Sequence, residues 1–140
     1  MTYQAHEFGA TIVRPLFYEF PEDENVIDND RQFLIGDAIL VSPVLDEGQI
    51  TVTAYFPEAR WYNFYSFEQF SSAGETQVLD APIDVIPLHF RGGAIVPFQY
   101  TALTTTEVKE NNYYLIVALD GKFIYFIFFH FFFNINHFEN

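Results

Sequence analysis

Short runs of β-branched and aromatic residues recur along the first 120 positions, each bounded by Pro, Gly, Asp or Asn. Runs of this kind predict strands over 11–19, 38–42, 49–56, 60–65, 76–79, 83–90, 94–98 and 113–119. Ile50-Thr51-Val52-Thr53-Ala54-Tyr55-Phe56 alternates apolar and polar positions, the pattern of a strand with one buried face. Turn signals fall at Asp46-Glu47-Gly48, Glu58-Ala59, Ala73-Gly74 and Gly92-Gly93. Their spacing suits an antiparallel sandwich or barrel, so the expected fold class is mainly β, an antiparallel β-sandwich. Residues 1–9 read instead as the tail of a helix stopped by Gly9. Residues 22–32 read as an acidic loop with one helical turn, and 99–112 as a polar linker with a Thr run. The chain shows no internal repeat.

The pattern changes abruptly at the C-terminus. Residues 123–140 comprise eight Phe, three Ile, three Asn, two His, one Tyr and one Glu. No Leu, Val, Ala or Gly occurs there, and Phe, Ile, Asn and Tyr are all encoded by AT-rich codons. Gly121-Lys122-Phe123 is also what a common splice-donor sequence encodes in this frame. The expectation is that residues 122–140 are an aberrant tail, translated from an intron. The apolar run Phe123–Phe133 is shorter than the roughly 20 residues a spanning helix needs and contains His130, so no membrane span is expected. A sticky strand is the physical behaviour such a run predicts.

Charge narrows the partners. A formal net charge of −13 with only six Lys and Arg excludes the clustered basic surface that nucleic acid requires. The absence of cysteine excludes disulfides, zinc–thiolate sites and thiol nucleophiles. His6, His89, His130 and His137 lack metal-ligand spacing, and Asp28-x-Asp30 with Gly36 does not fit a calcium-binding EF-hand loop. No metal and no cofactor is expected.

Three residues could touch a sugar. Trp61 and Tyr62 could stack on a ring, although between Phe56 and Phe64 they fit a core or an interface better. Arg91, beside Gly92-Gly93, could hold an anion or a substrate, although pairing with a carboxylate or with strand-end carbonyls is the commoner use of such an Arg. Glu19, Asp23, Asp28, Asp30 and Asp37 could supply carboxylates for glycoside hydrolysis, but a solvated acidic loop is the default for them.

Several blocks in order resemble one family. They are Arg14-Pro15-Leu16-Phe17-Tyr18-Glu19-Phe20-Pro21, Gln32 to Leu45, Tyr55-Phe56-Pro57 with Trp61-Tyr62, and Leu88-His89-Phe90-Arg91-Gly92-Gly93-Ala94-Ile95-Val96-Pro97. Thr104-Thr105-Thr106 and Leu115 to Leu119 come next in register. Together they resemble glycoside hydrolase family 31, the α-glucosidases, nearest to the maltase, sucrase-isomaltase and lysosomal α-glucosidase branch. The resemblance implies that 1–13 end a catalytic barrel, 14–100 form a proximal β-sandwich, and 101–121 form a linker and the first strand of a distal β-domain. It implies hydrolysis of terminal α-linked glucose with retention, through a glycosyl-enzyme intermediate. The family's catalytic Asp residues lie on barrel strands upstream of these blocks, so no residue of this chain inherits a catalytic role. The implied partner is the barrel in cis, with carbohydrate bound only by the whole enzyme, in the secretory pathway, the lysosome or at the cell surface. Two alternatives remain open: a stand-alone carbohydrate-binding sandwich using Trp61, Tyr62 and Arg91, and a truncated product without function.

Overall fold

The computed structural model describes residues 2–121, and the expected aberrant tail lies outside them. Helix α1 (Thr2–Phe8) ends where the Gly9 N–H bonds the Ala5 carbonyl at 3.1 Å. Strand β1 (Val13–Pro15) then enters the body of the fold. The run expected as one strand over 11–19 breaks at Pro15, whose fixed φ starts a single turn, α2 (Leu16–Glu19). A 3-10 turn (Glu24–Val26), capped by the Asp23 side chain, supplies the helical turn expected within 22–32.

The strands are β2 (Phe33–Ile35), β3 (Ile39–Val41), β4 (Thr51–Phe56), β5 (Ala59–Asn63), β6 (Gln69–Ser72), β7 (Glu75–Asp80) and β8 (Leu88–Arg91). Then come β9 (Ile95–Phe98), α3 (Thr105–Glu110) and β10 (Tyr114–Val117). Every strand pairing among the described residues is antiparallel. The main sheet has the order β1-β2-β3-β8-β5-β6, while β4-β7 and β10-β9 form separate two-stranded sheets.

Several elements differ from the sequence-based expectation. Residues 83–87 are not strand, because Pro82 and Pro87 remove the N–H groups a ladder needs there, and β8 begins only at Leu88. Strands β2 and β6 lie outside the predicted runs; β2 is three residues long and β6 is polar. The linker over 99–112 contains α3, held by a capping box in which Thr104 and Glu107 satisfy each other's backbone N–H.

The two-stranded β4-β7 sheet lies over one face of the main sheet, and the core forms between them. Ala54 and Phe56 of β4 meet Leu34, Leu40 and Trp61 of the sheet, with Leu16 and Val26 closing the edges. Each large apolar side chain among them contributes about 1.5–3 kcal/mol on burial. Trp61 and Phe70 both pack edge-on against Phe56, with the Phe56 and Phe70 centroids 4.9 Å apart.

Gln32 stitches the two layers. Its Oε1 accepts from the Tyr55 N–H at 2.8 Å and its Nε2 donates to the Tyr55 carbonyl at 3.2 Å. The side-chain amide thus stands in for a neighbouring strand on the free edge of β4. The same amide donates to Ser42 Oγ at 2.8 Å and accepts from Asn29 Nδ2 at 3.0 Å, so all its capacity is used while it is buried.

The core makes two predictions. Gln32→Ala leaves the Tyr55 N–H and carbonyl and Ser42 Oγ without their buried partners, so urea unfolding of the full chain should show a loss of about 2–4 kcal/mol; a loss below about 0.5 kcal/mol would count against the stitch. His89 is buried against Phe56 and Phe70, and its Nδ1 has no hydrogen-bond partner. Burial pushes its pKa down to about 4. The unfolded chain therefore binds this proton first. Stability is full above about pH 6.5 and falls toward pH 4, by roughly 3 kcal/mol for this group. The urea midpoint should decline across that window, and His89→Leu should flatten the decline; an unchanged slope in the variant would assign it elsewhere.

Candidate functional site

Trp61, Tyr62 and Arg91, the three candidate ligand contacts, are all placed by β5 and β8. Trp61 lies opposite Arg91, and Tyr62 lies opposite Phe90. Trp61 is fully buried; its Nε1 donates to the Pro57 carbonyl at 3.0 Å, and Phe56 and Phe20 flank its ring at 5.8 and 6.3 Å. Within this fold that ring has no exposed face on which a sugar could stack. The Tyr62 hydroxyl donates to the Leu119 carbonyl at 2.7 Å.

Arg91 is held by Glu19. The turn of α2, forced by Pro15, drops the Glu19 carboxylate between two guanidinium groups. Arg14 Nη1 bonds Glu19 Oε1, and Arg91 Nη1 lies 3.4 Å from Glu19 Oε2. The Glu19 side chain is only 16% exposed, so this pair of contacts is weakly screened. Arg91 also stacks over Phe20, its Cζ 4.3 Å from the ring centroid, and Arg14 lies 5.6 Å from the Tyr18 ring. The block containing Arg14 and Glu19 is thereby locked to the block containing Arg91, 72 residues beyond Glu19. Beside Arg91 runs a groove of about 340 Å³ lined by Asp37, Glu58, Arg60, Gly92-Gly93 and Asp120. Gly92 is required there: a Cβ would approach the Leu119 carbonyl and Arg60 to about 3 Å.

Asp23 is equally committed. Asp23 sits in an open depression of about 610 Å³ with Glu19, Glu22, Glu24 and Glu58. Partial burial raises its pKa, but hydrogen bonds from the Tyr55 hydroxyl at 2.7 Å and from Asn25 at 3.0 Å outweigh it and hold the carboxyl below the ordinary value. Tyr55 is pushed up by burial and by the same bond to Asp23. A lowered pKa is the reverse of what a proton-donating carboxylic acid needs at neutral pH. Asp28, Asp30 and Asp37 are exposed. No group of three potential metal ligands occurs among the described residues.

A further candidate surface is one that the strand pattern did not announce: the second face of the main sheet. Cross-strand register aligns Val13, Ile35, Ile39, Phe90 and Tyr62 in one row, and Pro15, Phe33, Val41 and Leu88 in the next. Phe64 and Phe67 stack on Phe90 from the same side, with centroids 4.9 and 6.5 Å away. These rows contain no charged residue. A sheet with one wet face alternates, whereas β2, β3 and β8 read as nearly continuous apolar runs, Phe33-Leu34-Ile35, Ile39-Leu40-Val41 and Leu88-His89-Phe90. That continuity was the available signal. Val13 and Phe67 remain 58% and 57% exposed on this side.

This architecture recurs in known proteins. The profile of the glycosyl hydrolase family 31 C-terminal domain matches residues 9–96. The chain is 47% identical over 122 residues to human probable maltase-glucoamylase 2, covering 87% of this chain and 5% of that protein. It is 45% identical over 121 residues to the α-glucosidase of Hordeum vulgare, covering 85% of this chain and 14% of that one. The glucose-complexed GH31 dextranase of Flavobacterium johnsoniae superposes with a TM-score of 0.77 at 30% identity, over 85% of this chain and 15% of that one. The chain thus spans only a small part of the relatives it matches. The agreement of profile, sequence and superposition over most of its length shows that the chain belongs to glycosyl hydrolase family 31, in the region of its C-terminal domain.

Proposed function

We propose that this chain supplies the β-domain that braces the catalytic barrel of a retaining α-glucosidase acting on terminal α-linked glucose, and that it hydrolyses no glycoside by itself. The observation that carries this reading is the uncharged second face of the main sheet. One face is covered by the β4-β7 pair; along the rows of the other, Val13 is exposed, Pro15, Phe33, Ile35, Ile39, Tyr62 and Leu88 are half-buried, and Val41 and Phe90 are buried. A large apolar face on a small domain is an interaction surface. In this reading α1 is the end of the barrel, residues 14–100 the proximal domain, and 101–121 the approach to a distal one. The barrel supplies the two carboxylates, and carbohydrate is bound by the whole enzyme.

The alternative of a free carbohydrate-binding sandwich finds less support. Its stacking platform would need Trp61, which is buried, and its polar contact would need Arg91, which Glu19 already engages. Tyr62 spends its hydroxyl on the Leu119 carbonyl.

Two outcomes are expected. The purified 140-residue chain should release no nitrophenol from nitrophenyl α-glucoside; turnover that co-purifies with the chain and survives a host lacking α-glucosidases would overturn the inactive reading. Residues 9–96, transplanted in place of the matching segment of the barley α-glucosidase, should give an active chimera. There Ile39→Glu, on the second face, should lower the yield of active enzyme at least about tenfold, while Val78→Glu, on the exposed side of β7, should not. Equal activity of the two variants would remove the bracing role.

A further inference from the structure

Among the described residues, strand β4 pairs with β7 on one side and with no strand on the other. Hydrogen bonds fix which of its residues look outward. The Ala81 N–H bonds the Ile50 carbonyl at 2.8 Å on the β7 side, whereas both backbone groups of Tyr55 turn the other way, to Gln32. Backbone groups alternate sides along an antiparallel strand, so those of Thr51 and Thr53 lie on the same free edge as those of Tyr55. No hydrogen bond reaches them there among the described residues. A groove of about 300 Å³ runs beside this edge, lined by Thr51 and Thr53 and by Pro43, Val44 and Leu45 of the chain leaving β3.

The molecule itself indicates what fits. At Tyr55 the Gln32 amide makes both bonds, one donated and one accepted, that a neighbouring strand would make. Thr53 and Thr51 continue the same edge, so a peptide backbone carries the matching chemistry. Leu45, 57% exposed, offers an apolar wall for one of its side chains. Charge sets the sign of the partner. Arg31 Nη1 bonds Asp46 Oδ2 at 2.7 Å in the lining, so these two charges cancel. Asp30 and Glu47, their neighbours in sequence, are exposed and form no ion pair among the described residues. The chain carries a formal net charge of −13, so a second copy is repelled and a cationic segment attracted. We propose that an extended basic peptide segment of a partner protein adds to the free edge of β4 beyond Gln32, bonding the backbones of Thr53 and Thr51 and packing an apolar side chain on Leu45. The apolar rows of the main sheet contribute no residue to this groove, and the docking does not depend on the barrel-bracing role.

Amide hydrogen exchange of the full 140-residue chain reads this edge residue by residue. With about 1 mM of a synthetic hexapeptide of alternating Lys and Val, the Thr51 and Thr53 N–H groups should exchange at least about tenfold more slowly than without it. An analogue of alternating Glu and Val should leave both rates unchanged. Unchanged rates with the basic peptide, or equal protection by the acidic one, would overturn the proposal. Protection that is present without peptide and grows with protein concentration would overturn it in favour of a second copy on that edge. Leu45→Lys replaces an exposed side chain and should leave the urea midpoint in place. It should weaken binding of the basic peptide at least about threefold by charge repulsion and loss of the apolar wall. Undiminished binding to that variant would put the peptide outside the groove and overturn the site.

Discussion

A sheet that is apolar on both faces must be covered on both faces, and the rest of this structure depends on that constraint. The main sheet meets it on one side internally. The β4-β7 sheet folds over Leu34, Leu40 and Trp61 and brings Ala54 and Phe56 into the core. On the other side the rows through Ile39 and Phe90 end at aromatic residues of the β5–β6 connection, where Phe64 and Phe67 cover Phe90 and remain partly open to solvent themselves. The relatives place this domain within chains many times its length, which is where a second cover is available.

Polar groups inside the domain act as fasteners. Gln32 substitutes for a strand on the edge of β4, and Ser72 does similar work at the β6–β7 turn by donating to the Phe56 carbonyl at 2.6 Å. Glu19 joins the entry of the chain to the end of β8 through two arginines. Each is a satisfied buried or half-buried group, and each would be costly to leave with one partner removed. The residues with the most obvious catalytic or ligand-binding chemistry, Arg91, Glu19, Asp23 and Trp61, are therefore engaged within the domain. This agrees with a supporting part in which the chemistry is carried elsewhere.

The fold class was legible in the sequence because β4, β5, β7, β9 and β10 each combine β-branched or aromatic residues with a clear turn on either side. The helix of 1–9 and its stop at Gly9 were legible for the same local reasons. Errors fell where local and tertiary signals compete. Pro15 turned the expected strand over 11–19 into a strand and a helical turn, because its ring sets φ and the following Leu16 finds the core. Helix α3 was hidden in polar residues, though Thr104 and Glu107 spelled its capping box. The partner of Arg91 could not be named from spacing, since Glu19 reaches it only through the fold. The second apolar face was encoded in continuous rather than alternating strands, a signal that becomes readable only once the strands are aligned in register.

The burial of that second face is the central claim, and oxidative footprinting measures it most directly. Phe67, 57% exposed here beside Phe90, should be oxidised readily in the 140-residue chain. In an intact family 31 enzyme carrying residues 9–96, the same ring should be strongly protected. Equal oxidation in both settings would mean that the face stays open to water, and the account of a barrel-bracing domain would be contradicted.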